Sequence, residues 1–228
     1  MLEQLDLKPG QRVLEIGAGT GYNAGLMEHL VGESGQVVTV DLDEDLVDGA
    51  REHLATAGLD RVRVVCGDGG LGHADGAPYD RIILTVGAWD IVPAWWAQLR
   101  PGGRLVLPLE INGGDQKAVA FDRLDDRMES VSIKDCGFMV LRGAFARRAR
   151  SIELGPTPAI TMYTDRDRIL DPGTIYRLLT GPYEDRPTNV TANVGEAVFG
   201  SLALWLGVRE PGLCSLHAEG EAADRGIV

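Results

Sequence analysis

The chain has 228 residues, with 34 acidic against 22 basic side chains and a formal net charge of −12. That balance argues against a nucleic-acid partner, which needs a basic surface for phosphates, and no apolar run reaches the length of a membrane span. Three cysteines (Cys66, Cys136, Cys214) and four histidines (His29, His53, His73, His217) stand far apart, in neither a disulfide framework nor metal-ligand spacing, and the N-terminus lacks a secretory pattern, so the reading is a cytoplasmic protein without a metal.

In chain order, Arg12–Ile16 reads as a short apolar strand and Thr20–Val31 as a helix with Leu26, Met27 and Leu30 at helical spacing. Gln36–Asp41 is β-branched and strand-like. Asp43–Ala57 follows as a helix, capped by Asp43 and ended by Gly58. Val62–Cys66 and Tyr79–Val86 are strands, Ile91–Leu99 is a short helix stopped by Pro101-Gly102-Gly103, and Arg104–Leu109 is a fifth strand. Strands alternating with helices through short connections predict an α/β fold, doubly wound on a mostly parallel sheet. Lys117–Leu124 and Arg127–Val140, joined at Asp125-Asp126, predict an antiparallel hairpin at the sheet edge. After Gly143 the sequence is punctuated by prolines. Only a helix near Gly173–Leu179 and an apolar stretch Ala197–Leu206 stand out there. The expected division is a domain over residues 1–145 and a smaller C-terminal extension over 146–228.

The chemistry concentrates in LEIGAGTGYNAG, where Gly17, Gly19 and Gly21 sit between the first strand and the first helix. A strand turning sharply into a helix needs positive φ and a surface where a ligand can lie against backbone. The dinucleotide pattern G-x-G-x-x-G would put its third glycine where Tyr22 stands, so that template fails by one residue. Glu15, just before the turn, repels phosphate but attracts a cation or an amine. Asp41 closes the second strand, where a carboxylate can accept from both ribose hydroxyls. Asp68, in CGDGG after the third strand, is placed to accept from an adenine amine, although D-G is also a common turn pair. The set favours a cationic adenosine without phosphate, and S-adenosyl-L-methionine fits.

The runs LEIGAGTG, VVTVDLDEDLVDGARE, GDG and PGGRLVLP resemble the Rossmann-like methyltransferases that use S-adenosylmethionine. DLKPGQRVLEIGAGTGYNAG, CGDGG, APYDRIILTVGAWDIVPAWWAQLRPGGRLVLPL and CGFMVLRG narrow the resemblance to the protein-L-isoaspartate O-methyltransferase family over residues 5–143. The resemblance implies that Glu15, Gly17, Ala18, Gly19, Thr20 and Gly21 line the methionine end of the cofactor. By the same token Asp41 with Leu42 holds the ribose, and Asp68 with Gly69 the adenine. Thr85, Val86 and Gly87 then follow the fourth strand, where the acceptor meets the methyl group. Family members usually carry a Ser/Thr-containing loop of the type Q-T-I-S-Q-P before the glycine turn, as a lid. This chain starts too late to hold it, so the expectation is a truncation or a lost lid. The tail resembles the C-terminal extensions of actinobacterial relatives that esterify an aspartate in a precursor peptide.

The implied partner is a protein or peptide carboxylate. A carboxylate is already ionised at neutral pH and needs no general base, so the lack of an acid–base constellation agrees with O-methylation, and no catalytic residue is assigned. Arg104 or the Arg147-Arg148-Arg150 run could meet the acceptor's charge, and Trp89, Trp95 and Trp96 could bound a peptide groove. The plainer readings are a solvated basic linker and aromatic packing, with His73 a solvated loop residue. The alternatives are a nicotinamide-dependent oxidoreductase, disfavoured by Tyr22 and Glu15, and a cofactor-binding protein without turnover.

Overall fold

The computed structural model describes residues 1–111, 115–146, 150–155, 160–164, 170–182, 191, 201–210, 212–220 and 223. The chain divides into two compact units, Met1–Glu110 with Gln116–Arg147, and Ile111–Asp115 with Arg148–Val228.

The first unit holds α1 (Leu2–Leu5), β1 (Arg12–Ile16), α2 (Tyr22–Val31), β2 (Gln36–Asp41), α3 (Glu44–Thr56), β3 (Arg63–Cys66), β4 (Tyr79–Leu84), α4 (Pro93–Gln98), β5 (Leu99–Ile111), β6 (Asp115–Arg123) and β7 (Met128–Asp135). Its sheet has seven strands in the order β3-β2-β1-β4-β5-β6-β7. The β1–β5 neighbours pair in parallel, while β6 and β7 pair antiparallel at the edge. The predicted doubly wound sheet with an edge hairpin is what the chain forms.

Alternation along the central strands sorts side chains between two cores. Leu14, Ile16, Val38, Val40, Ile82 and Leu84 pack with Trp95 of α4. Val13, Val37, Ile83 and Val106 face the other way and pack with Ala24, Met27 and Val31 of α2. A third cluster seats Val47, Ala50 and Leu54 of α3 against Ala18 and Val64. With both faces covered, β1 buries four of its five residues, as expected of a parallel sheet. The chain lays β2 and β3 on one side of β1 and β4 and β5 on the other. This reversal opens a crevice beyond the carboxyl ends of β1 and β4, the place where open α/β sheets bind ligands.

Several boundaries differ from expectation. The helix α2 begins at Tyr22 rather than Thr20, because Gly21 takes the N-cap position at φ +81°. The strand β5 starts at Leu99, since its register with β4 jumps from Tyr79–Leu99 to Arg81–Arg104 and Pro101-Gly102-Gly103 bulges out. The strand β7 ends at Asp135, not Val140, because the chain after it turns away to hydrogen-bond Gly87. The helix α1 carries no sequence signal.

The second unit contains β8 (Arg150–Leu154), β9 (Ile160–Thr164), α5 (Pro172–Thr180), α6 (Ser201–Arg209) and β10 (Ser215–Ala218). Its three strands form an antiparallel sheet in the order β10-β9-β8, which the proline-punctuated sequence concealed. Leu154, Ile160 and Met162 form its core, with Ile175 and Leu179 of α5 against them. Asp171 caps α5 by accepting from the Thr174 N–H at 3.1 Å. Of the predicted apolar stretch, residues 197–200 lie outside the described residues.

Candidate functional site: a cleft above the glycine turn

A cleft of about 470 Å³ opens at the carboxyl ends of β1, β2 and β4. Gly17, Ala18, Gly19 and Thr20 form its floor, with Asp41 on one wall and Thr85 and Val86 on another. It narrows to a recess of about 40 Å³ that includes Leu42 and Gly69. Nine of the thirteen expected site residues thus meet in one place. The other four (Glu15, Gly21, Asp68 and Gly87) are placed differently.

The three glycines have different reasons to be glycine. At Gly17 (φ +99°) a Cβ would stand 2.6 Å from Thr85 Oγ1, so only glycine lets the turn pass under the end of β4. Thr85 Oγ1 in turn donates to the Gly17 carbonyl at 2.5 Å. At Gly19 nothing lies within 4 Å of a Cβ, and its N–H donates to Asp41 Oδ2 at 3.1 Å. This is the glycine that opens onto the cleft. At Gly21 a Cβ would meet Leu54 and the Ala50 carbonyl of α3 at 3.1–3.2 Å. Gly21 therefore serves the packing of α2 on α3, and it lines an apolar groove between those helices instead of the cleft.

Asp41 ends β2 with its side chain in the cleft. Oδ1 accepts from the Leu42 N–H at 2.8 Å and Oδ2 from Gly19. The Asp43 N–H also approaches Oδ1, at 3.5 Å, so it is chiefly Oδ2 that keeps acceptor capacity, which a ribose hydroxyl could take.

Glu15 was expected to line the methionine end. It is instead wholly buried. Strand alternation puts it on the α2 side of the sheet with Val13, directly opposite Thr39 of β2. Thr39 Oγ1 donates to it at 2.6 Å and Asn23 Nδ2 at 2.7 Å. Burial pushes its carboxyl up to about 7, against the pull of those two donors. Asn23, which sequence reading passed over, links this buried group to the cleft that it lines itself.

Asp68 was expected to meet an adenine amine. Its oxygens are bonded elsewhere, Oδ1 to the Gly70 N–H at 2.9 Å and Oδ2 to the Ala144 N–H at 2.7 Å. Gly69 faces the recess, and the buried Trp95 fixes it by donating Nε1 to its carbonyl at 2.8 Å.

The segment 137–145 had no assigned role, yet it covers the cleft. The Met139 carbonyl accepts from Gly87 N–H and the Leu141 N–H donates to the Gly87 carbonyl, each at 2.7 Å. Gln116 brackets Phe138 with two hydrogen bonds of 2.7 and 3.0 Å. Trp89 Nε1 donates to the Phe145 carbonyl at 2.8 Å, and Arg142 pairs with Asp43. Phe138, Met139, Val140 and Arg142 line the cleft from this side. The CGFMVLRG run held the only hint of it.

The remaining candidates fall away from the cleft. Arg104 is held by Asp122 at 2.6 and 3.0 Å and by the Gln4 carbonyl, and it stands opposite Arg81 in the β4–β5 register, towards the end of the strands away from Thr85. Trp96 stacks under the Arg123 guanidinium at 4.7 Å. His73 serves through its backbone, donating to Gln98 and accepting from Tyr79. Arg147 and Arg148 lie outside the described residues, as does the side chain of Arg150.

A family model of protein-L-isoaspartate(D-aspartate) O-methyltransferase matches residues 1–144. A curated protein-L-isoaspartate O-methyltransferase of Hyperthermus butylicus is 40% identical over 156 residues, covering 65% of this chain and 65% of that protein. One from Methanopyrus kandleri is 47% identical over 110 residues, covering 48% of this chain and 49% of that protein. A solved protein-L-isoaspartate O-methyltransferase structure superposes with a TM-score of 0.61 at 29% identity, covering 73% of this chain and 65% of its own. The chain thus spans about half to two thirds of the length of these relatives. The family model ends at residue 144, and none of these relatives supports the resemblance of the tail to actinobacterial peptide-tailoring proteins. Through residues 1–144, which carry the whole cleft, the chain belongs to the protein-L-isoaspartate(D-aspartate) O-methyltransferase family.

Proposed function

We propose that the chain transfers a methyl group from S-adenosyl-L-methionine to the free carboxylate of an isoaspartyl residue in a protein or peptide. The observation that carries this reading is the cleft itself. It lies wholly within the family-matching residues, has a floor of backbone and small side chains, and has the Asp41 carboxylate in its lining. Its volume of about 470 Å³ suits a ligand of nucleoside size. A related methyltransferase from Plasmodium falciparum was solved with S-adenosyl-L-homocysteine.

When bound, S-adenosylmethionine supplies an electrophilic sulfonium methyl. The chain's own task is placement. Asp41 offers Oδ2 to the ribose, Gly69 gives the recess a backbone edge, and Gly19 leaves the floor open. Thr85 donates its hydroxyl proton to Gly17, which keeps the end of β4 against the glycine turn. The apolar side chains of Phe138, Met139 and Val140 line the side formed by segment 137–145. The acceptor carboxylate is ionised at neutral pH and gives up no proton. Alignment then provides most of the acceleration, for which effective molarities on the order of 10⁵ M or more are known. Methoxide is a better leaving group than the oxygen of a free carboxylate, so the following backbone nitrogen can attack the ester carbonyl, lose its proton and expel methanol to close a succinimide.

The test is transfer of label from methyl-labelled S-adenosylmethionine to matched peptides carrying isoaspartate or aspartate. Base-labile ester on the isoaspartyl peptide alone is expected. Label on the aspartyl peptide alone, or on neither, overturns the proposal.

A further inference from the structure

Asp43 holds the N-cap position of α3, where an aspartate ordinarily accepts from the first N–H groups of the helix. Its side chain makes no such bond. It pairs with Arg142, which reaches it from the segment covering the cleft. Among the described residues, the cleft is lined by two charged side chains, Asp41 and Arg142, of opposite sign. An arginine fork and the ribose hydroxyls would compete for the same free acceptor positions on Asp41.

We propose that Asp43 is a positioning residue that holds Arg142 aside, so that the Asp41 carboxylate stays free for the ribose. The inference rests on the cofactor reading above. Asp43 raises the Arg142 guanidinium first, by its hydrogen bond and its charge, and the charges of Asp41 and Asp45 act in the same direction. These are the carboxylates that attract it from the β2–α3 turn and the start of α3. With Asp43 neutral, Asp41 is the acid on the cleft wall left to draw Arg142 inward.

The experiment measures the dissociation constant of S-adenosyl-L-homocysteine by calorimetry on the 228-residue chain. It compares wild type with Asp43→Asn, Asp43→Glu, Arg142→Gln and the Asp43→Asn/Arg142→Gln pair, with circular dichroism for each. Asp43→Asn is expected to weaken binding about 10-fold or more, the loss of a charged hydrogen-bond set. Asp43→Glu, which keeps the ion pair, should bind close to wild type. The double variant should bind as Arg142→Gln alone does, because no arginine remains to block Asp41. A loss that persists in the double variant means that Asp43 acts through the helix, and overturns the proposal. Wild-type affinity in Asp43→Asn overturns it as well while leaving the cofactor reading intact. Failure of the wild-type chain to bind the ligand sinks both.

Discussion

Replacing Glu15 by glutamine should change how stability depends on pH. Glu15 is wholly buried, with a carboxyl pushed up by desolvation from 4.5 to about 7. Folding therefore favours its protonated form. The stabilisation is complete below the unfolded value of 4.5, is lost as pH rises, and is gone above about 7. At about 1.4 kcal/mol per pH unit, the full swing is about 3 kcal/mol. Between about pH 5.5 and about pH 8 it is about 2 kcal/mol. Glutamine does not titrate, and its amide can accept from Asn23 and donate to Thr39, whose hydroxyl rotates. Urea unfolding of both proteins at the two pH values isolates the term, because the general repulsion of a chain with net charge −12 is common to both. Wild type should lose about 2 kcal/mol more than Glu15→Gln on going to the higher pH. Parallel pH dependence in the two proteins would refute a Glu15 carboxyl raised by burial.

Other substitutions report on other parts of the site. Gly17→Ala puts a Cβ 2.6 Å from Thr85 Oγ1 at φ +99°; it should cost about 2–3 kcal/mol in chemical denaturation. Trp95→Phe removes the donor to the Gly69 carbonyl; a loss of about 1–3 kcal/mol is expected, together with weaker binding of adenosine-containing ligands by calorimetry. Arg104→Gln breaks the pair with Asp122; stability should fall by about 1 kcal/mol or less with the rate of methyl transfer unchanged, and a large loss of rate would return Arg104 to the acceptor site.

The fold was legible because its signals are local. Strand-like runs of five to eight residues, separated by helical spacing, marked the five parallel strands, and the polar turn at Asp125-Asp126 marked the hairpin. The glycine turn and the acid at the end of β2 were visible for the same reason, because they sit at the ends of local elements, although packing explains Gly21 as well. What escaped depended on partners distant in the chain. The three alternate glycines look equivalent until Leu54, 33 positions beyond Gly21, is seen against one of them. Glu15 looks exposed until the register with β2 sets Thr39 beside it. Asp68 looks free until Ala144, 76 residues away, claims an oxygen. The segment 137–145 is held mainly by backbone hydrogen bonds and by single side chains such as Gln116 and Trp89. None of these leaves a periodic pattern. The strands of the second unit are four or five residues long and lie among prolines, too short for alternation to show.

The most direct test of the account joins the site to the reaction through Asp41. Methyl transfer to an isoaspartyl peptide is measured for wild type and Asp41→Ala over a range of S-adenosylmethionine concentrations. Loss of hydrogen bonds to a charged group, worth about 1.5–3 kcal/mol, predicts a rise in the KM for S-adenosylmethionine of about 10- to 100-fold in Asp41→Ala. Wild-type transfer with an unchanged KM in Asp41→Ala would contradict the account.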